Sequence, residues 1–359
     1  MKNKVLVGTR KGMLVLEKKG DSWEITEDHF MGIPVNMVFE DNRNATWWVA
    51  LDHGHWGNKL HYSVDKGKTW EEVTAPQYPE GAMIKEEVPA SLRYIWAFAS
   101  TGNGQSEDLW IGTEPGGLFK LDQHKESSLV ESLWNHPSRP EGWFGGGRDY
   151  AGIHSIVVDP RDSNHLYVGI SVAGVFESTD GGKSWQPKNK GLRADFLPDP
   201  NAEIGHDPHL LVSCESNPEV LWQQNHCGIF RSEDGGANWT DISDPNGEAN
   251  FGFAIAADPA DALRAWVAPA ISDQMRVAVD KKLCICRTDD GGKTWQTFRT
   301  GLPQEYCYDI VFRHALISNG KDVLFGTTTG NLFGSNDQGE NWSTISNYLP
   351  MIYCLAFAS

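Results

Sequence analysis

One octapeptide recurs five times in this 359-residue chain, and its recurrence leaves few folds open. Ser178-Thr-Asp-Gly-Gly-Lys-Ser-Trp185 fits the pattern S-x-D-x-G-x-[ST]-W, and Ser63–Trp70 and Thr288–Trp295 follow it with at most a Ser-to-Thr exchange. Ser232–Trp239 and Ser335–Trp342 carry Asn in the second Ser/Thr place. Every copy lies between two strand-like runs, so each reads as a hairpin turn. The residue types suit a tight turn. Asp accepts hydrogen bonds from nearby backbone N–H groups, Gly takes a positive φ, and the hydroxyl adds a local bond. The closing Trp supplies a large apolar face beneath the turn.

The Trp positions set a period of roughly 50 residues, in the range of repeat architectures. Two decayed copies fill the gaps. Lys120–Ser127 keeps Asp122 but has His124 for Gly, and Leu16–Trp23 keeps Gly20, Ser22 and Trp23 but has Lys18 for Asp. Seven repeats of this length match four-stranded propeller blades. The fourth repeat predicts strands at Ile153–Val158, Leu166–Ile170, Gly174–Ser178 and Trp185–Lys188. The seventh predicts Asp309–Arg313, Val323–Gly326, Gly330–Ser335 and Trp342–Ile345. The chain opens on a second-strand pattern, Val5–Thr9, and ends on an orphan first-strand pattern, Met351–Phe357. The C-terminal strand is therefore expected to complete the N-terminal blade and remove an exposed sheet edge. The expected fold is all-β: a single seven-bladed β-propeller of four-stranded antiparallel blades, residues 1–359 as one domain.

The octapeptide is the Asp box, or BNR repeat. On its five copies the chain resembles the Asp-box β-propellers, among them sialidases, xyloglucan-cleaving hydrolases, sortilin-like receptors and a photosystem assembly factor. The resemblance implies the fold, but those families do unrelated things, so it leaves function open.

Bulk properties exclude some partners. A formal charge of −17 disfavours a nucleic-acid backbone or an anionic membrane surface. No run suits a signal peptide or a transmembrane helix, and the six cysteines show no disulfide or zinc-ribbon spacing. Cys284 and Cys286 share a strand face and are expected to be packed there. A reduced, cytoplasmic setting is the expectation. Oligomeric state stays open.

In a four-stranded blade the hairpins alternate between two ends. The Asp boxes share an end with the first-to-second turns, so they are expected to be structural. The opposite end carries unlike turns. Blades one, three and seven offer Gly8-Thr-Arg10, Gly112-Thr-Glu114 and Gly326-Thr-Thr328, whereas blade two has Asp52-His-Gly-His-Trp56 and blade five Gln223-Gln-Asn-His-Cys227. Two connections, Trp134–Asp149 and Arg193–His209, are long for a compact domain, a length associated with function. Of twelve histidines, eight fall at this end: His29, His53, His55, His136, His154, His206, His209 and His226.

These residues suggest a His-lined site. His53, His55, His206, His209 and His226 are the candidate ligands for a divalent transition metal, with Zn, Mn, Fe, Ni and Cu all suited to imidazole-rich sets. Candidate catalytic residues are His154, His226, Glu114 and Asp52. Arg10, Arg148, Asn225, Gln224 and Trp143 are the candidate contacts to a small-molecule or saccharide ligand. The leading expectation is a metal-assisted hydrolase or lyase acting on a small polar, carboxylated or sugar-like substrate. The sialidase resemblance implies a glycoside hydrolase with an arginine triad and a Tyr–Glu nucleophile pair. Its early Arg-Ile-Pro motif reads Gly32-Ile33-Pro34 here, and Glu305-Tyr306 carries no sign of the nucleophile role. The xyloglucan-cleaving relatives use a cleft between two propellers, and this sequence shows one. The third alternative is a non-catalytic scaffold for protein partners, which predicts a broad exposed apolar patch.

Overall fold

The computed structural model describes residues 2–100 and 108–359. Seven four-stranded antiparallel sheets account for nearly all the regular structure, which is the seven-bladed β-propeller class. Two compact units divide the chain: Met1–Val35 with His209–Ser359, and Asn36–Pro208.

The first unit holds the blade shared by both ends of the chain. Strand Ile352–Ala358 pairs antiparallel with Lys4–Thr9, with Lys4 opposite Ala358 and Leu6 opposite Ala356. Gly12–Lys19 and Ser22–His29 follow, giving the sheet order anticipated from the orphan C-terminal pattern. The same unit contains the blades built on Asn217–Asn225, Ala265–Pro269 and Val323–Gly326 as second strands. The second unit contains three blades, with second strands Thr46–Asp52, Leu109–Glu114 and Asp162–Ile170.

The predicted strands of blade four sit where expected, at Ile153–Asp159, Asp162–Ile170, Gly174–Ser178 and Gln186–Pro187. Blade seven differs. Its first strand is Leu316–Ser318, not Asp309–Arg313. The earlier segment has a strand's apolar content, with Ile310 and Val311 buried, but side chains hold it as a connection. Asp309 accepts from Asn331 Nδ2 at 2.7 Å and from the Thr329 hydroxyl, which ties it to the second-to-third turn.

All five Asp boxes make the same bonds. In blade four, Ser184 N donates to Asp180 Oδ1 at 2.9 Å, Ser184 Oγ donates to Asp180 Oδ2 at 2.6 Å, and Gly182 N donates to Ser178 Oγ at 2.9 Å. The fifth residue is a glycine with positive φ in every copy: Gly67, Gly182, Gly236, Gly292 and Gly339. In blades four to seven, a backbone N–H of the box donates across the blade to the end where its second strand begins, as Gly181 to Asn164 O, Gly235 to Glu219 O, Gly291 to Leu263 O and Gln338 to Lys321 O. These bonds place the boxes at the first-to-second-turn end and give them a structural role. In the decayed third copy, Asp122 still caps the turn, accepting from His124 N and Glu126 N at 2.8 and 2.9 Å.

The box tryptophans join neighbouring blades. Trp185 lies in one apolar cluster with Trp110 of blade three, and Trp342 shares a cluster with Trp266 of blade six. The Gly-Thr pair that ends several second strands also acts between blades. A Cβ on Gly112 would lie 2.5 Å from the backbone oxygen of Ile153, in the first strand of blade four. Gly326 stands equally close to Ile352 of blade one. Gly112→Ala is expected to lower stability by about 1–3 kcal/mol, the cost of overpacking, read as a fall in the denaturant midpoint at constant m-value.

The boxes also predict an acid response. The Ser184 hydroxyl and N–H hold the Asp180 carboxyl at about 2, and Asp65, Asp234, Asp290 and Asp337 are lowered in the same direction. A carboxylate depressed on folding contributes stability above its unfolded pKa near 4 and loses it as pH falls through the folded value. Between about pH 4 and pH 2, the Tm of Asp180→Asn is therefore expected to fall less steeply than that of the wild type. Parallel slopes would show that the box bonds do not favour the charged form.

Candidate functional site

In the second unit, the end opposite the Asp boxes is organised around the turn of blade three, residues 114–117. Thr113 Oγ1 donates within this turn to Pro115 O or Gly117 O, at 3.0 and 2.9 Å. Tyr78 closes over it, its hydroxyl 2.7 Å from Thr113 Oγ1 and bonded to Pro115 O. Burial pushes the Tyr78 phenol well up, so it stays neutral and available as a donor.

This turn delivers Glu114 with its side chain only 2 % exposed, against an Arg148 that is 38 % exposed. Arg148 Nε donates to Glu114 Oε2. The guanidinium lies 4.4 Å from the centre of the Tyr94 ring and 5.3 Å from that of Trp96. One edge of Arg148 is thus held by a buried carboxylate, and the guanidinium lies against two aromatic rings that stand nearly perpendicular to each other. Its terminal NH₂ groups have no protein acceptor among the described residues. That is an arginine anchored by a buried carboxylate and still 38 % exposed, suited to an anion. Beside it, Arg93 lies 4.7 Å from the Tyr150 ring centre and 3.5 Å from Asp149 Oδ2.

Other candidates in this unit take different places. His154 is fully buried in the first strand of blade four, its Nδ1 2.8 Å from Ser155 Oγ and its ring edge-on to Trp96 at 5.8 Å. It lies in the core beside Trp96, away from solvent. Trp143 packs against Phe176 at 5.3 Å and donates Nε1–H to Ser138 Oγ at 3.1 Å, so it holds the long connection down on the core. Asp52 is half-buried at the end of its strand, paired with Asn58. His53 precedes a short 3₁₀ turn, Gly54–Trp56, and His55 is exposed with its ring edge-on to Trp56 at 5.5 Å. No set of three ligand side chains gathers at His53 and His55 among the described residues. His206 is fully buried, and its Nε2 donates to Ala202 O at 2.6 Å. Burial lowers its pKa, and the spacing to His209 does not make the two a ligand pair.

In the first unit, Arg10 is exposed and its backbone N–H donates to Met351 O. Gln224 is buried, with Nε2 facing the carbonyls of Asn225, Gly228 and Asn250 at 3.4, 3.2 and 3.0 Å. Asn225 donates to Gln223 Oε1 and accepts from Cys227 N, both at 3.0 Å. These two amides shape the turn of blade five. That turn presents His226 to His209, with ring centres 5.7 Å apart and planes nearly perpendicular. Phe251 and Phe253 pack around the pair, Phe253 stacked on His209 at 4.7 Å.

Tyr94, Trp96, Phe251 and Phe253 were absent from the sequence-derived candidates. They belong to apolar runs that read as core strand. The usable signal was position, since each sits at the start of a first strand or just before it, where the chain arrives at this end of the blade.

The BNR/Asp-box repeat family matches residues 176–187. The xyloglucanase Xgh74A of Acetivibrio thermocellus is 24% identical over 79% of this chain and 36% of its own length. The oligoxyloglucan-reducing end-specific xyloglucanase of Emericella nidulans is 22% identical over 90% of this chain and 37% of its own. The chain thus spans about a third of the length of these relatives. Among solved structures, the GH74 enzyme of Niastella koreensis superposes with a TM-score of 0.58 at 17% identity, covering 94% of this chain and 53% of that one. A functionally unknown protein from Desulfotomaculum acetoxidans gives 0.58 at 10% identity and covers 99% of both chains. At these identities the structures show the fold alone. Repeat motif, turn chemistry and sheet topology together make the chain an Asp-box β-propeller of seven blades.

Proposed function

We propose that the protein is a glycoside hydrolase acting on a saccharide that carries an anionic group, with Arg148 as the residue that recognises that group. The observation that carries the reading is the Arg148 guanidinium, anchored by buried Glu114 and laid over Tyr94 and Trp96 with its terminal donors uncommitted among the described residues. The partly exposed Tyr94 ring beside a fixed cation suits a sugar ring bearing a carboxylate or sulfate. The similarity to xyloglucanases over most of this chain supports glycoside chemistry.

Glu114 acts here as a positioning residue, since Arg148 and the turn enclose it. Hydrolysis of a glycoside takes two carboxyl groups flanking the bond. In this unit, Asp149, whose side chain is 76 % exposed, and half-buried Asp52 are among the carboxyls at this end that reach solvent, and we propose them for that work.

The test is release of new reducing ends from a panel of neutral, uronic-acid-containing and sulfated oligosaccharides. Turnover confined to the anionic members is expected. Turnover of neutral xyloglucan fragments alone would overturn the Arg148 assignment. Saccharide binding without turnover would overturn the hydrolase assignment.

A further inference from the structure

We infer that Asn246 is a site of spontaneous covalent modification, where attack by the Gly247 backbone nitrogen turns the side-chain amide into aspartate and isoaspartate. The proposal does not rest on the saccharide reading.

The site begins as a turn. Asp244-Pro-Asn-Gly247 has the residue preferences of a type I β-turn, with Asp first, Pro second and Gly fourth. It follows the last strand of blade five, Thr240–Asp241. Asp244 Oδ1 accepts from Asn246 N at 2.9 Å, and Asp244 N donates to Ala249 O at 2.7 Å, which closes the loop. A Cβ on Gly247 would run into the Asp244 carboxylate. The turn therefore needs glycine after Asn246, and glycine puts no side chain in the way of its own nitrogen.

Asparagine is among the thermolabile residues. Asn246 is exposed, and its side chain makes no hydrogen bond among the described residues. The Gly247 N–H faces Asp244 O at 3.4 Å, beyond the usual hydrogen-bond range. Neither reacting group is held firmly. The reaction needs only water and a base from solvent. Base removes the Gly247 N–H proton, and the nitrogen attacks Asn246 Cγ. The new N–C bond closes a succinimide ring, the Cγ–Nδ2 bond breaks, and ammonia leaves with a proton from solvent. Water then opens the ring at either carbonyl. One opening gives aspartate, and the other gives isoaspartate, with the chain running through the side-chain carbon.

Asn319-Gly320 is the internal comparison. Asn319 is exposed as well, so access to solvent does not separate the two steps. Its amide is held, however. Nδ2 donates to Asp322 Oδ2 at 3.1 Å, and Oδ1 accepts from Lys321 N and Asp322 N at 3.1 and 2.7 Å. Gly320 N donates to Ser318 Oγ at 3.0 Å. Both the attacking nitrogen and the attacked group must be released there first. A third step, Asn103-Gly104, lies outside the described residues.

The product alters a joint between blades five and six. Glu248, in the same loop, accepts from Thr297 Oγ1 at 2.8 Å and from Arg299 of blade six. Modification adds a negative charge close to Asp244 and Glu248, and isoaspartate lengthens the loop backbone by one carbon.

The test warms the full-length protein at mildly alkaline pH, well below its Tm, and follows each Asn-Gly step by mass spectrometry of proteolytic peptides. Asn246 is expected to convert at least about 10-fold faster than Asn319, the scale set by the hydrogen bonds that Asn319 and Gly320 must break first. Isoaspartate at 246 is read by enzymatic methylation of the same peptide. In denaturant the two rates are expected to converge, because the folded structure no longer holds Asn319. Asn246→Gln should keep the wild-type Tm and remove the early product. Conversion at Asn246 no faster than at Asn319, or a rate ratio unchanged in denaturant, would overturn the site.

Discussion

A chain ending at Leu349 is expected to lose the folded state of its first unit. The missing strand, Ile352–Ala358, supplies the first strand of blade one and pairs along Lys4–Thr9. It buries Ile352, Cys354, Leu355 and Ala358, and Ile352 and Leu355 belong to the largest apolar cluster of that unit. Each large aliphatic side chain contributes about 1.5–3 kcal/mol on burial. The hydrogen-bond ladder with Lys4–Thr9 is lost as well, so the total is comparable to the usual net stability of about 5–15 kcal/mol. Removal also leaves Lys4–Thr9 as an apolar sheet edge, a site for aggregation. The expected outcome is insoluble protein or a Tm lowered by more than about 10 °C in calorimetry. A synthetic peptide of residues 350–359 added in trans should restore part of the loss. An unchanged Tm would contradict the pairing of the two ends.

The second large effect is expected at Arg148. Arg148→Ala should lower kcat/KM on an anionic saccharide by roughly 100-fold, the scale of losing charge-assisted hydrogen bonds worth about 1.5–3 kcal/mol. Arg148→Lys keeps the charge but loses the planar fork and the stacked face, so it should recover only part of that activity. Glu114→Gln tests the positioning role separately. It leaves Arg148 in place but removes the carboxylate that fixes Nε, and it should raise KM more than it lowers kcat. An equal loss on neutral and anionic substrates in Arg148→Ala would point to a structural role for this side chain instead.

Much of the fold was legible because the Asp box is a local device. Its Asp, Gly and hydroxyl bond to one another within eight residues, so sequence alone carries the geometry, as Ser178 to Trp185 demonstrates. The closure of blade one was legible from the orphan pattern at Met351–Phe357. The error at Asp309–Arg313 came from burial without a strand ladder: apolar content marks a segment as buried, whereas Asp309 is held by the side chains of Thr329 and Asn331 and Ile310 O accepts a single backbone bond from Thr328.

The site was legible only in part. Candidates from different segments do approach one another, His209 beside His226 and Glu114 beside Arg148. Residue type could not separate the histidines that approach one another from those tied into the scaffold. His206 and His209 have the same local composition, yet His206 bonds Ala202 and His209 faces His226. Tyr94 and Trp96 were hidden because an aromatic at the start of a buried strand has the same one-dimensional signature whether it faces the core or supports an arginine.

The most direct test of the central claim is a crystal structure of the protein soaked with a uronic-acid-containing oligosaccharide that it turns over slowly. The account predicts the sugar carboxylate on the terminal nitrogens of Arg148, with a sugar ring against Tyr94. A saccharide bound elsewhere, with Arg148 still paired only to Glu114, would contradict it.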